Sequence, residues 1–163
     1  MSVNKYQSHV LVLPEDDANR QLANGFLMDP SLLIRKIQVL EEAGGWKNVL
    51  NLFKSDHLIG MERYPKRFMV LLIDFDNDVD RLGNAKATIP DHLTERVFIL
   101  GTLSEPEALK ADFGASYEDI GSKMAKSCRD ETDKTWEHPL LRHNASELDR
   151  LREHVRPILF ESI

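Results

Sequence analysis

The chain has 163 residues, of which 42% are hydrophobic and 29% charged, with a net charge of −6. That length suits one hydrophobic core and is short for two, so residues 1–163 are expected to form a single domain of a soluble protein. The acidic balance argues against a general clamp on DNA or RNA, which needs a basic surface, but leaves room for a nucleic-acid enzyme whose acids hold a divalent cation.

No apolar run reaches the length of a membrane span, and the amino terminus lacks a signal-peptide pattern. The expectation is a cytoplasmic protein with no membrane contact. A single cysteine, Cys128, excludes an internal disulfide and fits a reducing compartment. Lys126 and Arg129 beside it favour a thiolate, but no signature makes it a nucleophile.

In chain order, His9-Val10-Leu11-Val12-Leu13 reads as a first strand running into Pro14-Glu15-Asp16-Asp17. Residues 18–27 carry Leu22, Ala23, Phe26 and Leu27 at helical spacing, capped by a preceding Asp. Residues 29–45 are ambiguous. Asp29-Pro30 and Gly44-Gly45 bracket a helix, whereas Ile37, Val39 and Leu40 suit a strand. Read alone, the segment favours the helix. Trp46, Val49, Leu50 and Phe53 share a helical face that extends to about residue 59.

Phe68-Met69-Val70-Leu71-Leu72-Ile73 is a run of six apolar residues, suited to a strand buried on both faces of a parallel sheet. It discharges Asp74-Phe75-Asp76-Asn77-Asp78, followed by a short turn or helix over residues 79–82. Residues 96–100 form a further strand, ended by Gly101. A helix follows over residues 104–113, with Ser104 and Glu107 at capping-box spacing. Residues 114–137 are polar, with few periodic apolar positions beyond Ile120, Met124 and Ala125. A last helix begins near Asn144, where Asn144 and Glu147 form a cap, and stops before Pro157.

Alternating strands and helices predict an α/β fold with helices on both faces of the sheet. In a parallel sheet the acids after the first and central strands fall on one edge, where α/β proteins bind ligands. Hard oxygen donors there favour Mg²⁺, Mn²⁺ or Ca²⁺. Asp74, Asp76 and Asp78 also match the opening of an EF-hand loop, but its Gly and Glu positions hold Val79 and Ala85, so that reading is rejected. Helix capping and solvation are the competing use of Asp16, Asp17, Asp78 and Asp80.

An acid after the first strand, Asp-x-Asp after a later buried strand and a βαβ frame resemble the TOPRIM domain. That domain is shared by primases, topoisomerases, small ribonucleases and OLD-family nucleases. Gly44-Gly45-Trp46-Lys47 and Ser104-Glu105-Pro106-Glu107 are similar to segments of small TOPRIM-like proteins. The resemblance implies a three-layer, Rossmann-like domain with a mostly parallel sheet over about residues 8–113, including a strand near residues 35–40. Residues 114–163 are then a mostly helical extension packed on it.

By that resemblance Glu15 is the catalytic acid/base or a ligand, and Asp74 and Asp76 hold Mg²⁺ or Mn²⁺. Asp16, Asp78, Glu105 and Glu107 are further candidate ligands, although Glu105 and Glu107 equally suit a helix dipole. One departure is Asp16, where the family places glycine.

The function so implied is Mg²⁺-dependent phosphodiester chemistry on DNA or RNA, in a small nuclease. A topoisomerase would need a tyrosine nucleophile in another domain, and a primase its zinc-binding part. The alternatives are a non-catalytic subunit, acting beside a partner protein or as a homodimer, and a receiver-like phosphoacceptor. Thr102 would be the receiver's switch hydroxyl, but the lysine required after a fifth strand is missing. Lys47, Lys110, Lys123, Lys126 and Arg129 are candidate phosphate contacts. His138 and His143 read first as packing residues, and Tyr64-Pro65-Lys66-Arg67 as a solvated loop at the edge opposite the acids.

Overall fold

Strands that are apolar on both faces need helices on both sides, and the chain supplies them. The computed structural model describes residues 3–78, 80–132 and 134–160. Strands β1 (His9–Pro14), β2 (Ile37–Val39), β3 (Arg67–Leu72) and β4 (Val97–Leu100) form one parallel sheet in the order β2-β1-β3-β4. Val12 pairs with Val39 on one side and Val70 on the other, and Leu72 lies between Pro14 and Leu100.

Helix α1 (Asp17–Phe26) follows β1. After β2 come α2 (Trp46–Leu52), a π-helical turn (Phe53–His57) and α3 (Leu58–Arg63); α4 (Arg81–Ala87) follows β3. Beyond β4 lie α5 (Pro106–Phe113), α6 (Tyr117–Arg129), α7 (Ala145–His154) and α8 (Arg156–Leu159). The strand period of two divides the core. Val10, Val12, Val70, Phe98 and Leu100 pack under α1 and α5–α8, while Leu11, Leu13, Met69, Leu71 and Ile99 pack under α2–α4. This is an α/β fold of three layers, with the carboxyl-terminal helices built into one of them. Among the described residues no helix is long and apolar enough to cross a membrane.

The sequence expectations fail at several points, each for a tertiary reason. The segment 29–45, helical by its local pattern alone, carries instead the strand that the resemblance implied near residues 35–40: a 3₁₀ turn at Ile34–Lys36 leads into β2. Leu40 N donates to Val12 O and Leu33 N to Leu159 O, so pairing at both ends overrides the local helical pattern. Helix α5 starts at Pro106 with Glu105 as N-cap and no side-chain cap bond, and the Ser104 hydroxyl is buried without a partner, so the capping box does not form. Val79, placed in a turn by its sequence, lies outside the described residues.

The stretch 114–137, polar in sequence and assigned to a mostly helical extension, contains the 13-residue helix α6, capped by the Ser116 hydroxyl on Asp119 N. Its close contact with α1 is made by backbone. A Cβ at Gly121 would fall 2.0 Å from Leu22 O, so only glycine allows the approach. Tyr117, Ile120, Met124, Ala125 and Cys128 fill the same buried face at helical spacing.

The Asn144–Glu147 cap also does not form; the Asn144 side chain makes no cap bond to α7. Both side chains instead bond the outer edge of β4. Asn144 accepts from Gly101 N and donates to Gly101 O, and Glu147 accepts from Ile99 N at 2.9 Å. Leu103 N continues the edge by donating to Leu140 O. An unpaired strand edge is thereby closed without a fifth strand. Glu147, 1% exposed, also receives Lys86 and Arg150, each at 2.7 Å.

Candidate metal centre

The centre forms where β1 and β3 end. Pairing continues past both strands, with Glu15 N donating to Leu72 O and Ile73 N to Leu100 O. The backbone of Glu15 is held from the far side by Gly44 and Gly45, whose N–H groups donate to its carbonyl at 2.8 and 3.2 Å. Their φ values of 85° and 131° are open to glycine and strained for other residues. The Gly-Gly turn therefore fixes the first acid.

Asp16 is the N-cap of α1, its Oδ1 accepting from Asn19 N at 2.9 Å. The buried Asn19 amide also donates to Asp16 Oδ1 and Asp74 Oδ1, both at 2.9 Å. Asp74, 7% exposed, donates its backbone N–H to Glu15 Oε2 at 2.7 Å, and Thr102 Oγ1 lies 3.4 Å from Asp74 Oδ1. One carboxylate oxygen from each of Glu15, Asp16 and Asp74 lies within 4.8 Å of the other two.

Burial with too few donors sets the electrostatics. Loss of water raises the Asp74 carboxyl from 3.8 to about 7, against the Asn19 hydrogen bond and with repulsion from Glu15, Asp16 and Asp76. Burial likewise raises Glu15, opposed by the Asp74 N–H and helped by repulsion from Asp16. Near neutral pH the cluster lacks positive charge, and three oxygen donors fit a hard divalent cation.

The other candidates stand elsewhere. Asp76 is exposed, and with Asn77 it adopts left-handed backbone (φ 49° and 58°), which ends the strand alternation that would align it with Asp74. Its carboxylate pairs with Arg81 Nη1 at 3.1 Å. The cluster thus contains Asp16 where sequence spacing favoured Asp76, and Asp76 reaches it through repulsion only. Asp78 accepts from Asp80 N on the surface, and Glu105 and Glu107 are exposed at the start of α5.

Arg81, which spacing did not single out, donates to Asp74 O at 2.6 Å and stacks 4.5 Å from the Trp46 ring centre. Lys47 lies over the same indole at 5.8 Å. Tyr117, also missed, has its phenol raised first by burial and then by the charges of Glu107, Asp16 and Asp74, with Lys110 above its ring. Asn19 had one legible signal, its position three residues after a helix cap. Lys123 lies over Phe113, Lys126 is exposed on α6, and Arg129 binds Asp29 through two bonds.

The histidines pack. His138 stacks on Phe113 and lies 3.2 Å from Asp112, and the His143 ring stands edge-on to Phe75 with neither ring nitrogen hydrogen-bonded. Cys128 is buried, which pushes its thiol up to about 11.

What the fold and site define is a parallel α/β protein with a buried acidic triad, beside the first strand, that can hold a metal ion. No protein-family model, curated protein or solved structure matches the chain.

Proposed function

We propose that the protein is a Mg²⁺- or Mn²⁺-dependent enzyme acting on phosphodiester bonds of nucleic acid, of the TOPRIM nuclease kind. The supporting observation is the convergence of Glu15, Asp16 and Asp74 at the carboxyl edge of a parallel sheet, buried and short of positive charge. A cation held there supplies Lewis-acid charge to a phosphate and activates water. Asn19 and Thr102 orient Asp74 as its ligand, Arg81 braces the Asp74 carbonyl and Asp76, and the exposed Lys47 beside Trp46 takes the role of a phosphate contact. Glu15, its carboxyl raised by burial and its Oε2 facing the Asp74 N–H, takes the acid/base role.

The experiment is cleavage of supercoiled plasmid and of single-stranded RNA with Mg²⁺ or Mn²⁺. Activity is expected in one of these and absent in Asp74→Ala. Cleavage that survives in that variant contradicts the assignment.

The approach of Thr102 to Asp74 favours a second reading, a receiver-like phosphoacceptor. Labelling with acetyl phosphate followed by mass spectrometry separates the two: an acyl phosphate on Asp74 supports the receiver, and an unmodified Asp74 excludes it.

A further inference from the structure

The opposite edge of the sheet carries the reverse charge. Lys5, Tyr6, Arg63, Tyr64, Pro65 and Lys66 line a shallow depression of about 470 Å³ where β3 begins. Among the described residues none of its three cations has a carboxylate at ion-pair distance. Burial lowers the His9 imidazole, and the charges of Arg67 and Lys36 push it the same way. Arg96 sits beneath the turn, donating to the carbonyls of Tyr64, Arg67 and Met61. Glu62, the neighbouring acid on α3, is engaged with His92. A protein of net charge −6 therefore concentrates unneutralised cations in one place.

Two aromatic rings lie among them. Tyr64 is bracketed by charge, with Lys5 at 5.2 Å and Arg67 at 4.8 Å from its ring centre, so it serves to order those cations. Tyr6 meets Tyr64 edge-on at 6.0 Å and is 72% exposed, which leaves its own ring open. Positive side chains around an open aromatic face match an anionic polymer that carries planar rings. Anionic lipid and acidic peptide would use the charge and leave the ring without a partner.

We propose that this depression binds single-stranded nucleic acid, with phosphates on Lys5, Arg63 and Lys66 and one base stacked on Tyr6. It lies about 20 Å from the acidic centre, the length of the six-residue strands β1 and β3. The surface acts as an anchor and needs neither metal nor cleavage.

The test is fluorescence anisotropy of a labelled oligothymidylate of about 15 nucleotides, in EDTA, across a salt series. Binding is expected to weaken with salt at a log–log slope of about −2, as for three phosphate contacts on a single strand. Lys5→Ala with Lys66→Ala should flatten that slope by about 1.4. Tyr6→Ala should weaken binding by roughly tenfold, while Tyr6→Phe should bind as the wild type does.

Both tyrosine variants change an exposed side chain, and thermal melts are to match wild type as the check that they fold. Absence of oligothymidylate binding at about 50 mM salt overturns the proposal. So does equal binding by Tyr6→Ala and Tyr6→Phe, which marks a mere polyanion surface. Binding to phosphatidylserine vesicles without oligothymidylate overturns it in favour of a membrane. Asp74→Ala should bind oligothymidylate normally in EDTA, so failure of the anchor and failure of the nuclease assignment are read separately.

Discussion

Asp74→Asn removes one charge from a buried cluster that lacks a cation, and in metal-free buffer it should make the protein more stable. Asn keeps an oxygen to accept from Asn19. The folded protein binds the Asp74 proton more tightly than the unfolded chain does, because burial raises its carboxyl from 3.8 to about 7. Its contribution is therefore fully present below about pH 4 and is lost as pH rises towards 7. A shift of about three units at ~1.4 kcal/mol each sets a ceiling of about 4 kcal/mol. Solvent on the Asp16 side and the shared titration with Glu15 reduce this to about 2 kcal/mol.

Urea denaturation in EDTA should then give Asp74→Asn a gain of about 2 kcal/mol at pH 8 and almost none at about pH 3, below the unfolded carboxyl's own titration. Added Mg²⁺ at about a hundred times its dissociation constant should raise wild type by about 2.7 kcal/mol and the variant, binding at least about tenfold more weakly, by no more than about 1.4 kcal/mol. A variant less stable than wild type at pH 8 in EDTA would refute the electrostatic reasoning.

Three further outcomes follow from the fold. Glu147→Ala leaves Ile99 N–H and the β4 edge unpaired and should cost about 2–3 kcal/mol, with faster exchange of the Ile99 amide; an unchanged amide would contradict the edge-closing role. Gly121→Ala forces a methyl group against Leu22 O and should cost at least about 2 kcal/mol by thermal denaturation, unlike Gly83→Ala, whose Cβ meets nothing within 4 Å. Cys128, with its thiol raised to about 11 in the core, should react with a disulfide reagent only at the rate of unfolding; fast labelling of the native protein would contradict its burial.

Strands β1, β3 and β4 were legible because they are short, apolar and bounded by acids or glycine; β2 was not, since its local pattern favoured a helix and only the resemblance implied a strand there. The meeting of Glu15 with Asp74 was legible for the same reason, since parallel strands deliver their ends to one edge. Asp76 was misplaced because a period of two holds only while the backbone stays extended, and two left-handed residues end it. Asp16 was weighed chiefly as a helix cap, and it does cap while also facing the cluster. Helix α6 was expected only as part of a mostly helical extension, without bounds, although Tyr117, Ile120, Met124 and Cys128 carry its period; the role of Asn144 and Glu147 was hidden because a capping pattern and an edge-closing pair use the same residues. Arg81 had no local signal: its partners are a backbone carbonyl, an acid five residues back and a distant tryptophan.

Titration of the metal-free protein with Mn²⁺, followed by electron paramagnetic resonance, measures the centre itself. Wild type should bind one ion per chain, with at least about tenfold weaker binding in Glu15→Gln and in Asp74→Asn. No binding by wild type, or undiminished binding in both variants, would mean that the converging carboxylates hold no cation.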